Sequence, residues 1–172
     1  MSNYLLEIGT EELPYKFVST AIEQLKKSFE NLLTTNELSF ENIEVFGSPR
    51  RLAGIIQNLE DKQKDILKTV KGPIAKIAYD ENGNLSPAGL GFAKKNGIDP
   101  QTLYLEDNYV WAKVEQKGAF AKDILSGTVP NLVLKMQAPY FMRWADLEVK
   151  FQRPIRWILS LYNDAILPLE IA

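Results

Sequence analysis

The sequence of 172 residues contains no cysteine and no histidine. Without cysteine the chain can have neither a disulfide framework nor a thiolate zinc site, which is typical of proteins in a reducing cytoplasm. Without histidine it cannot use a histidine general base, a Ser-His-Asp triad, histidine metal ligands or a histidine–aspartate phosphohydrolase site. An independent enzyme built on this chain, such as a hydrolase, would have to use carboxylates alone.

The sequence also lacks a long apolar run and an excess of basic residues. No apolar segment approaches the ~20 residues that a membrane-spanning helix needs. The N-terminal residues MSNYLLEIG have neither the basic flank nor the apolar core of a signal peptide. A net charge of -2 and a pI near 5.3 argue against a free-standing, non-specific nucleic-acid binder. We therefore expect a cytoplasmic protein whose contacts with nucleic acid, if any, depend on local basic patches.

The apolar pattern of the chain predicts an α+β fold. Apolar residues make up 45% and charged residues 24% of the chain, which indicates a globular protein. A long N-terminal helix is expected after Pro14, because apolar residues recur there at three- and four-residue spacing through Leu33. Pro14 should lie in the first helical turn, with Glu11 and Glu12 at the positive end of the helix dipole.

Short apolar segments predict strands that pack on this helix. They lie at residues 4–8, 43–46, 52–59, 155–162 and 166–171. We expect these strands to form one mixed or antiparallel sheet. The main domain would then consist of residues 1–68 and 138–172, with the charge-rich residues 60–68 as a connection or short helix.

Residues 69–137 are predicted to form a small inserted lobe, also α+β. A short helix should begin at Ser86-Pro87 and end at Asn96-Gly97. Residues 102–105 and 109–116 should pair as a hairpin. A helical stripe that begins at Phe120 should break or kink at Gly127 and Pro130. The chain ends in an apolar strand, and we therefore expect it to be a piece of a longer polypeptide.

Two arginine-bearing segments are candidate binding sites. The segment Met142–Trp157, MRWADLEVKFQRPIRW, contains three arginines and two tryptophans and gives residues 139–160 a net charge of +2. Such a segment could hold phosphate or a nucleobase, or it could be an ordinary amphipathic strand with core aromatics and solvated arginines. Arg50 and Arg51 follow the stiff turn Gly47-Ser48-Pro49, where they could grip phosphate or form a solvated corner.

Six segments resemble, in order, the beta subunit of bacterial glycine–tRNA ligase. They are EIGTEELP at residues 7–14, SPRRLA at 48–53, KGP at 71–73, GFA at 91–93, MRW at 142–144 and FQRPI at 151–155. The family usually has a lysine shortly before MRW, where this chain has Tyr140-Phe141, and a glycine after it, where Ala145 stands. The alanine indicates that this turn does not need a positive φ angle.

The resemblance implies a subunit of a heterotetrameric aminoacyl-tRNA synthetase. In that family the alpha subunit activates glycine with ATP and Mg, and the longer beta subunit is required for tRNA(Gly) binding and charging. No segment here resembles the class II catalytic motifs. The chain is therefore expected to be an N-terminal fragment without catalytic residues, metal or cofactor of its own, whose partners are the alpha subunit, tRNA(Gly) and the remainder of beta.

Two roles remain open for this region. In the first it contacts tRNA, and the candidate contacts are Arg50, Arg51, Lys71, Arg143 and Arg156. In the second it is an assembly module whose aromatics face protein instead of RNA. Residues expected to act structurally are Glu11, Glu12, Pro14, Trp144, Arg153 and Trp157, with Arg153 as a possible brace for Glu11 or Glu12.

Overall fold

The computed structural model describes residues 1–80 and 83–171 and confirms an α+β fold with antiparallel sheets. The strands are β1 (Ser2–Thr10), β2 (Asn42–Ser48), β3 (Arg51–Leu59), β4 (Ile66–Ile74), β5 (Tyr104–Glu106), β6 (Tyr109–Gln116), β7 (Ile155–Tyr162) and β8 (Ala165–Ile166). The helices are α1 (Tyr15–Thr35), α2 (Ala75–Ala78), α3 (Pro87–Asn96) and α4 (Ala121–Leu134), with a short 3-10 helix at Pro100–Thr102. None of the helices within these described residues is long and apolar enough to cross a membrane.

The chain forms two compact units. The larger unit comprises Met1–Gln63 and Ala119–Ala172, and the smaller unit comprises Lys64–Gly118. The smaller unit is thus shorter than the predicted lobe of residues 69–137. Helix α4 lies in the larger unit because its apolar residues join the core of that unit. The smaller unit begins earlier than predicted because Ile66, in the segment expected to be a connection, starts strand β4.

The larger unit is a five-stranded antiparallel sheet with helices on one face. The strand order is β2-β3-β1-β7-β8, which places β1 in the centre. The alternate β1 residues Tyr4, Leu6 and Ile8 are fully buried. Helices α1 and α4 bury their apolar stripes in the same cluster, so both cover this face of the sheet. We call the opposite side, which carries the other alternate residues of each strand, the outer face.

The start of α1 differs in detail from the prediction. Pro14 is the N-cap of the helix with a ψ of 138°, and its carbonyl accepts hydrogen bonds from Phe17 and Val18. The helix begins at Tyr15, and its first turn contains no acidic residue. Glu11 and Glu12 therefore lie before the helix, where their carboxylates can contact arginines of the neighbouring strands instead of the helix dipole.

Helix α4 is continuous, so it does not break at Gly127 and Pro130, and the alternative of a kink there stays a prediction. Four residues at four-residue spacing are fully buried along it, namely Ala121, Leu125, Val129 and Val133. Burying each of the larger apolar side chains contributes about 1.5–3 kcal/mol. Together they outweigh the roughly 3 kcal/mol that an internal proline costs a helix.

The smaller unit has a three-stranded antiparallel sheet in the order β4-β6-β5. The predicted hairpin forms between β5 and β6, and the predicted short helix forms as α3. Ser86 caps α3 by accepting hydrogen bonds from Ala88 N and Gly89 N, and Gly97 ends it with a φ of 65°. Val110 and Ala112 of β6 are fully buried, whereas Trp111 between them is half-buried on the other side of the sheet.

Two expectations near the end of the chain are also wrong. Ala145 has a φ of 51°, so the turn after MRW does adopt the left-handed conformation that glycine favours. Strand β8 covers Ala165–Ile166 only, whereas residues 166–171 were expected to be a full strand. Leu167 and Leu169 instead pack against the core.

Candidate functional site

Four residues form a row across one end of the five-stranded sheet. Gly9 of β1 pairs with Arg51 of β3 on one side and with Trp157 of β7 on the other. Ser48 of β2 pairs in turn with Arg51. Residues that pair directly across antiparallel strands project from the same face. Since the neighbouring Ile8 points into the core, this row lies on the outer face.

The glycine in this row allows the tryptophan to lie across the central strand. A Cβ atom placed on Gly9 would come 2.1 Å from Cε2 and 2.2 Å from Nε1 of Trp157. Only glycine can therefore occupy this position with the indole in place. Trp157 remains 42% exposed, and the Cζ atom of Arg51 lies 5.4 Å from the centroid of its ring.

Three residues of the row, Ser48, Arg51 and Trp157, line an open cleft with a volume of about 740 Å³. The cleft is lined by Thr10, Glu11, Ser48, Arg50, Arg51, Arg156 and Trp157. A second cleft of about 460 Å³ shares two of these residues and is lined by Glu11, Trp144, Ala145, Pro154, Ile155 and Arg156. Three guanidinium groups, one indole face and two hydroxyls thus meet at one end of the sheet.

Each of the three arginines has a glutamate partner. The nitrogen-to-oxygen distances are 3.3 Å for Arg156–Glu11, 3.8 Å for Arg51–Glu7 and 4.0 Å for Arg50–Glu12. The arginine side chains are between 56% and 73% exposed. Exposed ion pairs contribute only about 0–1 kcal/mol, so the guanidinium groups can exchange a carboxylate for another anion at little cost. The glutamates hold the arginines in position without neutralising them irreversibly.

Backbone hydrogen bonds fix the walls of the cleft. Thr10 N donates to Arg50 O at 3.0 Å, and Leu13 N donates to Pro49 O at 2.6 Å, which ties the turn at Pro49 to the end of β1. Glu11 N donates to Pro154 O at 3.0 Å, which ties the segment before β7 to the same point. Arg50 and Arg156 therefore project from backbone that is anchored to β1 on both sides.

One buried polar group of a residue that lines the cleft has no hydrogen-bond partner among the described residues. Thr10 is only 5% exposed, and its Oγ1 atom makes no hydrogen bond among the residues that the structure describes. A buried polar atom left in this state costs about 1–3 kcal/mol. Thr10 belongs to the lining of this cleft, but its hydroxyl oxygen is enclosed by protein.

The structure brings together three of the five predicted tRNA-contact residues, Arg50, Arg51 and Arg156. Arg143 is exposed in the irregular segment before β7 and does not line the cleft. Lys71 belongs to the smaller unit, on strand β4. Its ammonium group lies over the ring of Tyr109, 3.4 Å from the centroid.

The residues predicted to act structurally occupy several positions. Glu11 contacts Arg156, and Arg153 instead places Nη1 3.3 Å from the sulfur of Met142. The proposed brace for Glu11 is therefore supplied by Arg156. Trp144 is partly buried against the core, whereas Trp157 is on the outer face.

Glu7, Gly9, Thr10 and Ser48 lie in segments that carry the family resemblance, but no pattern in the sequence assigns them to a site. The available signal was Gly9, because a glycine at the end of a buried strand often marks the close approach of another group. The tryptophan that approaches it lies 148 residues later in the sequence, and a single sequence contains no information on that pairing.

A separate hydrogen-bond network joins the first residue to the end of β3. Asp61 accepts hydrogen bonds from the terminal ammonium of Met1 at 2.7 Å, from Ser2 and from Tyr162 at 2.8 Å. These bonds, the ammonium first, lower the pKa of Asp61 to about 2. Burial raises the pKa of Tyr4 to about 12 in the core beside this network.

Comparison with known proteins assigns the whole chain to one group of relatives. The family profile described as "Glycyl-tRNA synthetase beta subunit" matches residues 4–172. The chain is 38% identical over 176 residues to the glycine–tRNA ligase beta subunit of Clostridioides difficile, covering 99% of the chain and 26% of the relative. It is 42% identical over 175 residues to that of Natranaerobius thermophilus and 43% identical over 175 residues to that of a Picosynechococcus species, covering 99% of the chain and 25% and 24% of those relatives. The chain thus spans about a quarter of the length of these curated relatives.

Proposed function

The chain belongs to the glycyl-tRNA synthetase beta subunit family, and from that premise we propose that it is the region of a glycine–tRNA ligase beta subunit that contacts tRNA(Gly). The observation that carries this proposal is the convergence of Arg50, Arg51 and Arg156 on one cleft. Guanidinium groups donate bidentate hydrogen bonds that match the geometry of phosphate oxygens. Three of them on an anchored backbone form a suitable site for an RNA backbone.

The chemistry of aminoacylation is assigned in this proposal to the alpha subunit, together with ATP and Mg. Within residues 1–80 and 83–171 no group of three acidic side chains is arranged so that it could hold a metal ion. The region described here would act in the cytoplasmic heterotetramer by holding tRNA, and no catalytic step is attributed to its residues.

Salt-dependent binding tests this proposal. The intact alpha–beta complex would be titrated with tRNA(Gly) at several salt concentrations, as wild type and as the triple variant Arg50→Ala/Arg51→Ala/Arg156→Ala. Each lost phosphate contact lowers the slope of log affinity against log salt by about 0.7–0.9. We expect a slope lower by roughly 2 and an affinity reduced on the order of tenfold to a hundredfold at low salt.

A matched control removes the same charge from another surface of the larger unit. Lys16, Lys26 and Lys27 are exposed on α1, and their triple alanine variant should leave the slope unchanged. Equal slopes for the arginine and lysine variants would contradict the proposal, because the effect would then reflect total charge. An unchanged slope in the arginine variant would contradict it directly.

A second candidate function, subunit assembly, is favoured by the outer face of the five-stranded sheet. This face carries Leu5, Phe46, Ala53, Ile55, Leu159, Leu161 and Ile166 across all five strands. Phe46 is 55% exposed and Ile166 is 73% exposed. Among the described helices of the larger unit, both pack on the other face. Contiguous exposed apolar side chains of this kind mark protein interfaces.

Substitutions on the outer face test the assembly function. The double variant Phe46→Glu/Ile166→Glu should reduce the mass of the alpha–beta complex measured by light scattering, or lower the melting temperature of the beta subunit if its own later residues cover this face. The control is Ile77→Glu/Leu67→Glu, which changes two exposed apolar residues of the smaller unit. A complex of unchanged mass and stability would contradict the assembly role.

A further inference from the structure

We propose that the cleft binds an unpaired nucleotide of the RNA, with its base stacked between the indole of Trp157 and the guanidinium group of Arg51. This inference rests on the proposed function and specifies which part of an RNA the cleft recognises. It is carried by the row Ser48–Arg51–Gly9–Trp157 and by the placement of Arg51 over the indole.

The indole of Trp157 is positioned so that a base could stack on it. One side of the ring lies against the backbone of Gly9, where a Cβ would come within 2.1 Å of Trp157 Cε2. The side chain is nevertheless 42% exposed. A tryptophan that served packing alone would be expected to bury its ring in the core, as Phe151 does at 0% exposure. Trp157 instead lies on the outer face beside three guanidinium groups.

The separation between Trp157 and Arg51 is smaller than a base between them requires. The Cζ atom of Arg51 lies 5.4 Å from the indole centroid, which is wider than direct stacking. Stacked bases repeat at about 3.4 Å, so a base held between two planes needs roughly 6.8 Å. Arg51 would therefore have to move outward to admit a base. Its ion pair with Glu7, at 3.8 Å and exposed on the arginine side, permits this movement.

The geometry favours an unpaired nucleotide over a duplex. In a duplex each base is stacked on its neighbours and presents only its edges, whereas proteins stack aromatic rings and arginine planes on bases that have left the stack. A site for duplex phosphates alone would need the arginines but would have no use for an exposed indole over a glycine.

The remaining groups of the cleft suit the backbone of that nucleotide. Arg50 has the longest ion pair, 4.0 Å to Glu12, and both side chains are 73% exposed, so it is the arginine most readily available to a phosphate. Arg156 lies closer to its partner Glu11, at 3.3 Å, so we expect it to keep its position when the nucleotide binds. Ser48 also lines the cleft, and its hydroxyl, which donates a long hydrogen bond of 3.5 Å to Arg51 O, can still accept one.

The experiment compares aromatic and aliphatic residues at position 157 in the intact alpha–beta complex. The probes are a single-stranded RNA of about twelve nucleotides containing 2-aminopurine and the same RNA annealed to its complement. We expect Trp157→Leu to weaken single-strand binding roughly tenfold, since base–aromatic stacking contributes on this scale, and to abolish the quenching of 2-aminopurine. Trp157→Phe should stay within about threefold of wild type, and duplex binding should change in neither variant.

Two further readouts separate stacking from packing and from charge. Arg51→Lys keeps the charge but loses the planar group, so it should weaken single-strand binding several-fold while the salt slope stays unchanged. This variant leaves the indole and Gly9 untouched and remains informative if Trp157→Leu does not fold. Equal single-strand affinity in Trp157→Leu and Trp157→Phe, or an equal loss on the duplex, would overturn the inference. A normal salt slope in the triple arginine variant would instead overturn the proposed function itself.

Discussion

The two units each place a cationic side chain over an aromatic ring, but the two contacts are built differently. In the larger unit the Cζ atom of Arg51 lies 5.4 Å from the ring of Trp157, with Glu7 3.8 Å away. In the smaller unit the ammonium of Lys71 lies 3.4 Å from the ring of Tyr109. Among the described residues Lys71 has no ion pair. The first contact is longer and shares its cleft with two other arginines, whereas the second is short, and its ammonium also lies 5.8 Å from the ring of Trp111.

A glycine lies beside each of these two contacts, and the two glycines have different roles. Gly9 lies on the same face as the Arg51–Trp157 contact and leaves room for the indole. Gly72, which follows Lys71, faces Phe92 of α3, and a Cβ there would lie 2.9 Å from that ring. Because successive strand residues alternate faces, Gly72 serves helix packing and lies behind the Lys71 contact. Of the residues that the structure describes, those of the larger unit alone combine a glycine gap and a cation cluster on one accessible surface.

The largest expected effect comes from adding one methyl group at each glycine. Gly9→Ala should lower the free energy of unfolding by about 1–3 kcal/mol, since the new Cβ forces Trp157 out of its position. It should also weaken binding of single-stranded RNA. Gly72→Ala should cost less than about 1 kcal/mol, because the contact is longer and the ring of Phe92 can turn. Denaturant unfolding of both variants checks this order, and an equal cost would remove the distinction between the two glycines.

A glycine at position 145 should have a smaller and opposite effect. Ala145 holds a φ of 51° next to Trp144, in the wall of the second cleft. A left-handed conformation costs a non-glycine residue about 1–2 kcal/mol, and glycine loses part of this gain through its more flexible unfolded state. Ala145→Gly should therefore stabilise the chain by about 0.5–1 kcal/mol in thermal or denaturant unfolding. Destabilisation would show that the methyl group of Ala145 makes a packing contact that outweighs the strain.

Removal of the lysine ammonium in the smaller unit should have a comparable or smaller effect. Lys71→Met keeps the aliphatic stem over Tyr109 and should cost about 0.5–1 kcal/mol of stability, the usual size of an exposed cation–π contact. It should lower the salt slope of tRNA binding by no more than one unit. If Lys71→Met lowered the slope as much as the triple arginine variant does, the smaller unit would be the main RNA contact and the comparison would be reversed.

The smallest effect concerns acid, which should act on the larger unit through Asp61. The pKa of Asp61 in the folded chain is about 2, below the roughly 3.9 of an unfolded aspartate. A lowered folded pKa stabilises the fold above the unfolded value, and this contribution is lost as the pH falls from about 4 to about 2. Asp61→Asn should remove that part of the pH dependence. Identical acid unfolding curves for the variant and wild type would show that the carboxylate does not contribute.

Local sequence patterns predicted the elements whose residues lie close together in the chain. The apolar stripe of α1, the cap at Ser86 and the stop at Gly97 depend on neighbours within a few residues, and each formed as expected. Strands β1, β3 and β7 were predicted for the same reason. The helix continues through Pro130 because residues distant in the sequence bury the apolar side chains of α4. The free energy gained by that burial exceeds the local cost of an internal proline. The strand that begins at Ile66 was not predicted, because the charged residues around it are typical of a solvent-exposed connection.

The candidate site could be predicted only in part. Arg50 and Arg51 stand out because a proline-fixed turn presents them, and Arg156 stands out beside Trp157. That these arginines meet depends on β1 lying between β3 and β7, a strand order that no local pattern specifies. The glutamate partners and the Gly9–Trp157 contact follow from the same order, so they could not be found before the sheet was known.

The most direct measurement is a structure of the complete alpha–beta complex with tRNA(Gly) bound. We expect RNA in the cleft, with a phosphate within hydrogen-bonding distance of Arg50 and an unpaired base about 3.4 Å from the ring of Trp157. Arg51 should have left its present position 5.4 Å from the indole to cover the other side of that base. Protein packed over Trp157, or a cleft open to solvent with all RNA bound elsewhere, would contradict the account.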